Sequence, residues 1–414
     1  MEKLNIVGKR SGEGFVAHKA ALVNALSRAL SERVTLMDYT IGRRGFVGYL
    51  KALGGSNIVK VTPSNGGASE SQATDKRLKV ICGANTSYLT DNDWIGENTP
   101  LTFCEVRVSP CNSVNPNIGA SELAEALSRV LPFTATDDTR PILQCVNFVA
   151  KEGKLTLVSA DGFRLAVVNL DYDDGEGQAL ISGYDLKGMI TALKSAKRAR
   201  ISFEAEDVSK PSSLIIDTEL IRYKWLSNGG NYPDWQKLVP TDFNTYAHFD
   251  TIEAIKAVSS LKALSDGKAY PLDLTIGNGK IVMANPDNKG QAEIPADTDG
   301  EGYVRVDGSY LASVLRACGG MVDFSLDNAM SPMLFSANGY KVVIMPMITD
   351  KAQKEVKAKA EQEPEAKGKA KGKAKGKGKG KAEPIAEQAE PEAEPEPEAE
   401  PEPVAEPELE PAIA

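Results

Sequence analysis

Three consecutive units of mixed helix and strand, an α+β arrangement, are predicted by two observations. Short helical phrases recur in a fixed order, and a strand-like segment follows each of the later ones. "NALSRAL" (24–30) returns as "EALSRVL" (125–131), an offset of 101 residues. "YLKALGG" (49–55), "ALKSAKR" (192–198) and "VLRACGG" (314–320) each run into an alternating segment: "NIVKVT", "ARISFEA" and "MVDFSLD". At each junction the apolar period switches from 3.6 residues to 2, the change from a helix face to a half-buried strand. A third echo, "NDWIGENTP" (92–100) against "PDWQKLVP" (233–240), places unit boundaries near 100 and 241.

The first unit is short. Its two helical phrases are 22 residues apart, Arg28 to Leu50, against 64 from Arg129 to Leu193 in the second. The deficit equals roughly three strands of ordinary length, and leaves "RVTLMDYT" as the single strand candidate between them, with "RLKVICGANTSYLTD" (77–91) as a strand further on. In the second unit "LVSADGFRLAVVNL" (157–170) reads as a β-hairpin, because Asp161-Gly162 supplies the positive φ of a tight turn. In "DLKGMITALKSAKRAR" the residues Leu186, Met189, Ile190 and Leu193 follow i, i+3, i+4, i+7 and form a buried stripe. Lys187, Lys194, Lys197 and Arg198 fall mostly on its other faces. "YKVVIMPM" (340–347) reads as the last strand of the third unit.

Composition separates a body from a tail. Residues 350–414 hold twelve Lys, seventeen Asp and Glu and nine of the 23 Pro, with almost nothing large and apolar. Such a stretch cannot bury enough surface to offset its ordering entropy and is expected to be disordered. Within it, "KGKAKGKAKGKGKGK" (367–381) places eight Lys in fifteen residues, and 389–411 is acidic and Pro-rich with no basic residue. The basic run suits weak, sequence-independent, salt-sensitive DNA contact. The remaining 349 residues carry 36 basic and 40 acidic side chains, which argues against a protein that grips nucleic acid over its whole surface.

Catalytic and metal chemistry have no visible carrier. Cys82, Cys104, Cys111, Cys145 and Cys318 show no C-x-x-C spacing, and His18 and His248 sit in no metal-ligand pattern. "VGKRSGEGF" (7–15) has the wrong order for a phosphate-binding loop, and nothing resembles a nucleophile elbow. Asp137-Asp138 and Asp171 with Asp173-Asp174 lie in turn-like surroundings. No enzyme activity, cofactor or metal is expected. With no signal-peptide core and no 18-residue apolar run, a soluble, cytoplasmic, nucleoid-associated setting is expected.

Three distant pieces, "DTRPILQCVNFVAKEGKLTLVSADGFRLAVV" (138–168), "YPDWQKLVP" (232–240) and "YKVVIMPM", together resemble the bacterial DNA polymerase III sliding clamp (beta subunit) in order and spacing. The likeness is good over 101–349, rests on the internal repeats over 1–100, and is absent from the tail. It implies a DNA-clamp fold, with helices inside a ring and antiparallel sheets outside. It divides the chain into a reduced first clamp domain (1–100), a second (101–241), a third (242–349) and the tail (350–414). It implies a non-catalytic processivity factor that encircles double-stranded DNA without reading sequence. Such a clamp holds a DNA polymerase and clamp loader by short peptides.

Carried over by the motifs, the peptide pocket comprises Leu143, Gly162, Phe163, Arg164, Leu165, Pro233, Leu238, Val343, Met345, Pro346 and Met347. An apolar lining with a few polar groups suits a peptide side chain, and two Met make an adaptable wall. The family's usual turn is Ala-Thr-Asp-Gly-His-Arg-Leu; here Ala160 lacks a hydroxyl and Phe163 replaces an imidazole, so peptide preference should differ. The DNA-facing set implied is Arg28, Lys51, Arg129, Lys187, Lys194, Lys197, Arg198 and Arg316. A head-to-tail dimer ring would bring Tyr88 and Leu89 to Ala263 and Leu264, with a trimer of the two better-matched domains as the other way to six. The competing classes are an enzyme built on clamp-like domains and a clamp relative that binds peptides without closing a ring.

Overall fold

The computed structural model describes residues 8–11, 14–64, 77–101, 104–110, 115–204, 212–265, 267 and 270–349. Contacts divide the chain into a compact unit Met1–Glu361 and a second unit Gln362–Ala414. The tail and Cys111, together with parts of 7–15, lie outside the described residues.

The plan is strand, helix, strands, written twice per repeat. The first repeat holds β1 (Gly8–Ser11), β2 (Gly14–His18), α1 (Lys19–Ser27), β3 (Arg33–Leu36), β4 (Tyr39–Gly42), α2 (Arg43–Ala52), β5 (Ile58–Ser64), β6 (Arg77–Cys82) and β7 (Asn85–Leu89). The second holds β8 (Cys104–Val108), α3 (Ala120–Val130), β9 (Cys145–Lys151), β10 (Lys154–Ala160), β11 (Arg164–Asp171), β12 (Gly177–Ser182), α4 (Gly183–Ser195), β13 (Ala199–Glu204), β14 (Ser213–Thr218) and β15 (Ile221–Leu226). The third holds β16 (Thr245–Asp250), α5 (Thr251–Lys262), β17 (Pro271–Gly277), β18 (Lys280–Ala284), β19 (Gln291–Pro295), β20 (Asp297–Asp299), β21 (Gly302–Asp307), α6 (Gly308–Cys318), β22 (Met321–Leu326), β23 (Met333–Ala337) and β24 (Tyr340–Ile344).

Local chemistry accounts for the hairpins. The turns Glu152-Gly153, Asn278-Gly279 and Asn338-Gly339 all have positive φ at both residues, 53° and 74°, 56° and 73°, 45° and 76°. That is the turn whose twist matches two antiparallel strands, and Asn-Gly is its preferred sequence. Strand alternation buries one face: β6 shows Leu78, Val80 and Cys82 inward with Arg77 outward. α5 and α6 start on aspartates, Asp250 accepting from the Ile252 N–H at 2.8 Å and Asp307 from the Ser309 N–H at 2.7 Å.

Repeats are joined through sheets. A nine-stranded sheet runs β12-β9-β10-β11-β24-β23-β22-β16-β20, so its middle is the antiparallel pair β11–β24 between the second and third repeats. A six-stranded sheet, β13-β14-β15-β8-β3-β4, joins the first and second. The outer sheets are β1-β2-β5-β6-β7 and β19-β18-β17-β21. Inside, α1 packs on α2, α3 on α4 and α5 on α6. α3 touches α6, and α1 and α4 line one cleft, so the helices form a row α2-α1-α4-α3-α6-α5.

The structure corrects four local readings. "RVTLMDYT" is not one strand: it spans most of a tight hairpin, β3–β4, turned at Met37 with φ 59°. "RLKVICGANTSYLTD" is likewise a hairpin, β6–β7, turned at Gly83 and Ala84. Between its helices the first repeat has two strands where the second has β9 to β12, so two strands are missing rather than three. In α4, Leu186, Met189 and Leu193 are buried while Ile190 is only half-buried, and the helix ends at Ser195. Lys197 and Arg198 therefore sit in the turn to β13, not on the helix.

The gap in the first repeat is closed by β8. It pairs antiparallel with β15, Val106 opposite Tyr223, and lies parallel beside β3, Thr35 opposite Arg107. A strand from later in the chain thus takes the joint position that β11 holds in the second repeat.

Candidate functional site

The hairpin β10–β11 positions the first half of the site. At its tip the Asp161 carboxylate accepts from the N–H groups of Phe163 (3.0 Å) and Arg164 (2.9 Å), and Gly162 takes φ 91°. The Arg164 guanidinium is held by Asp161 at 2.6 Å and lies over the rings of Phe133 (5.1 Å) and Tyr310 (4.4 Å). Arg164 is thus a brace for the turn. Its neighbour Arg140 lies against Gly162 and makes no ion pair among the described residues: a Cβ on Gly162 would stand 2.3 Å from an Arg140 guanidinium nitrogen.

β24 supplies the second half. Leu165 faces Val343 in the ladder. Beyond the strand, the Met345 N–H donates to the Phe163 carbonyl at 2.9 Å and the Met347 N–H to the Arg305 carbonyl at 2.8 Å, which fixes both Met backbones. The third wall is the segment from Tyr232 through the 3-10 turn Trp235–Leu238 to Phe243. Val158, Leu165, Val167, Leu334 and Val343 form a buried cluster of their own, with Ala160, Tyr232, Trp235, Val239 and Phe243 packed on it. Around it Phe163, Leu238, Met345 and Met347 stay exposed, at 53%, 53%, 45% and 39%. The Tyr232 hydroxyl is buried without a hydrogen-bond partner among the described residues, and burial pushes its pKa up. The result is an apolar recess with an adaptable Met rim, a shape that takes apolar side chains of an extended peptide.

Of the expected pocket residues, Leu165 and Val343 form its floor, and Phe163, Leu238, Met345 and Met347 its rim. Gly162 and Arg164 shape the turn, while Pro233 and Pro346 set their segments. Leu143 is buried in the 3-10 turn Pro141–Gln144 and is not among the side chains of the buried cluster. The reading from sequence did not list Val158, Val167, Leu334, Tyr232, Trp235, Val239 and Phe243. Period-2 alternation through 158–167 carries the first two.

The same register at the neighbouring joint gives no recess. Aligning the β14–β15 turn on β23–β24 sets Lys224 at the place of Val343, and Glu105 faces it where Leu165 would be. Lys224 also pairs with Glu204 at 3.1 Å.

On the helix row, Lys51, Lys187, Lys194, Lys197, Arg198 and Arg316 are exposed and make no ion pair among the described residues. Lys256 on α5 is a further exposed cation. Arg28 bonds the Asn24 side chain, and Arg129 is tied to Glu125 (2.7 Å) and lies over Tyr340 (5.5 Å), bracing the β24 joint. Tyr88 and Leu89 lie on the edge strand β7, Tyr88 exposed and Leu89 turned into the core; Ala263 and Leu264 follow α5, with Leu264 over Gly290 beside the edge strand β19.

Among the described residues no group of His, Cys, Asp and Glu could hold a metal, and no helix is long and apolar enough to cross a membrane. Cys82, Cys104, Cys145 and Cys318 are buried thiols. His248 Nδ1 lies 2.6 Å from Asp323.

Residues 117–218 match the family model of the DNA polymerase III beta subunit, central domain. The beta sliding clamp of Synechocystis sp. is 26% identical over 237 residues, 52% of this chain and 60% of that protein, so the chain spans about three fifths of this relative's length. The beta sliding clamp of Caulobacter vibrioides is 24% identical over 249 residues, 56% of this chain and 64% of that protein. Among solved structures, the DNA polymerase III subunit beta from Pseudomonas aeruginosa aligns with a TM-score of 0.59 at 18% identity, covering 81% of this chain and 100% of that one. The DNA polymerase sliding clamp from Bacillus subtilis aligns at 0.58 and 18%, covering 81% and 99%. Family model, relatives and fold agree: this chain is a divergent member of the bacterial DNA polymerase III sliding-clamp family.

Proposed function

We propose that the protein is a non-catalytic sliding clamp. It encircles duplex DNA as a head-to-tail ring of two copies and tethers a DNA polymerase, through short peptides seated in the recess at the β11–β24 joint. What supports this reading is that one molecule carries both parts a tether needs: a peptide-sized apolar recess on a strand joint, and a row of helices with unpaired cations. Cations that meet phosphates without base contacts bind with similar energy at every register, which sliding requires. A clamp loader using the same recess, and other DNA enzymes with similar peptides, belong to this reading. Two open strand edges, β7 and β19, are available for closing the ring.

The test is primer extension on a circular template with a matched polymerase and clamp loader. Longer products per binding event are expected with the full chain. Unchanged product length would overturn the tether.

A further inference from the structure

The joint inside the chain is a template for one between chains. The two-residue turns Asn338-Gly339 and Gly83-Ala84 open β24 and β7, so Val343 corresponds to Tyr88 and Ile344 to Leu89. On the facing side, Leu155 opposite Leu170 corresponds to Ile281 opposite Ile294, so Val167 corresponds to Gln291 and Leu165 to Lys289. Transferring the β11–β24 register then sets Thr86 opposite Gln291, Ser87 opposite Gly290 and Tyr88 opposite Lys289 of a second copy.

Helix α2 departs from α6 at one instructive place. Matching "YLKALGG" to "VLRACGG" aligns buried Phe46 with buried Leu311, and Gly45 with Tyr310. Tyr310 is the ring that takes the Arg164 guanidinium at 4.4 Å and stacks on Phe163 at 6.1 Å. Gly45 has no ring, but the space is filled. A Cβ there would lie 2.1 Å from Cγ of Trp94. Trp94 is delivered by the segment after β7, at φ 59°, and packs beside Tyr49 at 6.0 Å and Phe46 at 6.4 Å. It remains 45% exposed, and no cation of its own chain lies over it among the described residues.

We propose that Trp94, with exposed Tyr88, is an aromatic seat for Lys289 of a second copy, a latch that helps close the ring. This deepens the clamp reading and rests on it. The internal joint buries a cation of one strand against a ring on the facing helix. The open edge of the first repeat presents the ring, and the open edge of the third presents a Lys one position from where Arg164 sits. An ammonium over an indole face is attracted by the ring quadrupole, most strongly when the pair is desolvated as at a strand joint.

The test is sedimentation equilibrium of the full chain, wild type against Lys289→Met, Lys289→Arg and Trp94→Leu, with melting curves to confirm folding. Lys289→Met and Trp94→Leu should weaken association roughly 3- to 30-fold, and Lys289→Arg should retain it. The double variant Trp94→Leu/Lys289→Met should be no weaker than either single. If the wild type associates and Lys289→Met leaves the constant unchanged, the latch is wrong while the ring stands. If the wild type stays monomeric at all concentrations, the ring reading and the latch both fall. Should Trp94→Leu fail to fold, the two Lys289 variants decide alone.

Discussion

Met345 and Met347 show how a side chain can be dispensable for the fold and decisive for the site. Their backbones are tied by hydrogen bonds to Phe163 and Arg305, while their side chains face outward into the recess. Replacing both with Lys should therefore lower affinity for a Gln-Leu-x-Leu-Phe-type peptide at least tenfold, because an ammonium would have to desolvate without a partner. The melting temperature should move little, since both positions are partly exposed. Titration calorimetry on the folded variant checks it; unchanged affinity would move the peptide site elsewhere. Gly162 is the opposite case. Its φ of 91° and the close Arg140 guanidinium mean that Gly162→Ala should destabilise the turn by about 1–2 kcal/mol, visible in chemical denaturation. Much of the recess was legible because its residues are near one another in sequence or carry the family's motif. Leu165, Val343 and the Met pair belong to that class. Trp235, Tyr232 and Phe243 were not, because what makes them wall residues is a long excursion that folds back over the β11–β24 ladder.

The element that most changes the molecule is β8. A first repeat lacking two strands would leave β15 with an unpaired edge, and buried backbone groups without partners are costly. β8 supplies that pairing over five residues, but its parallel contact with β3 covers only Thr35 and Leu36. The weak side is reinforced by Arg107, whose guanidinium donates to the Met37 carbonyl at 2.5 and 3.2 Å and lies 3.4 Å from Asp38. Arg107→Ala should therefore cost about 1–3 kcal/mol, since it strands a bonded carbonyl at a tight turn. Hydrogen exchange should report the loss mainly in 33–42, with β9 to β12 unaffected; uniform loss across the chain would reject a local brace. Sequence periodicity found the helices and most hairpins, since both are local patterns. It could not find β8 in this role, because a parallel partner 70 residues away leaves no local trace. Nor could it find the fit of Trp94 onto Gly42 and Gly45, where any side chain on either glycine would collide with it.

Across the whole molecule the charges are arranged, not abundant. The body is slightly acidic, with 36 basic against 40 acidic residues, yet its exposed unpaired cations gather on the helix row. Such a distribution confines attraction for phosphate to one surface and leaves the rest free of non-specific adhesion. Each phosphate neutralised contributes a slope of about −0.9 to log K against log salt on duplex DNA. Converting Lys194, Lys197 and Arg198 to Gln should therefore flatten that slope by about 2–3 units, with no change in peptide affinity at the recess. The Lys-rich run 367–381 is a second source of the same signal, so the comparison belongs in a chain cut at 350 as well as in the full one. If the tail contributes, the cut alone flattens the slope, and a cut after Lys381, which removes only acidic sequence, increases retention at low salt. Equal retention by all tail variants would make 350–414 an inert extension. Equal slopes for the triple variant and its parent, both cut at 350, would instead move the DNA-facing surface away from the end of α4.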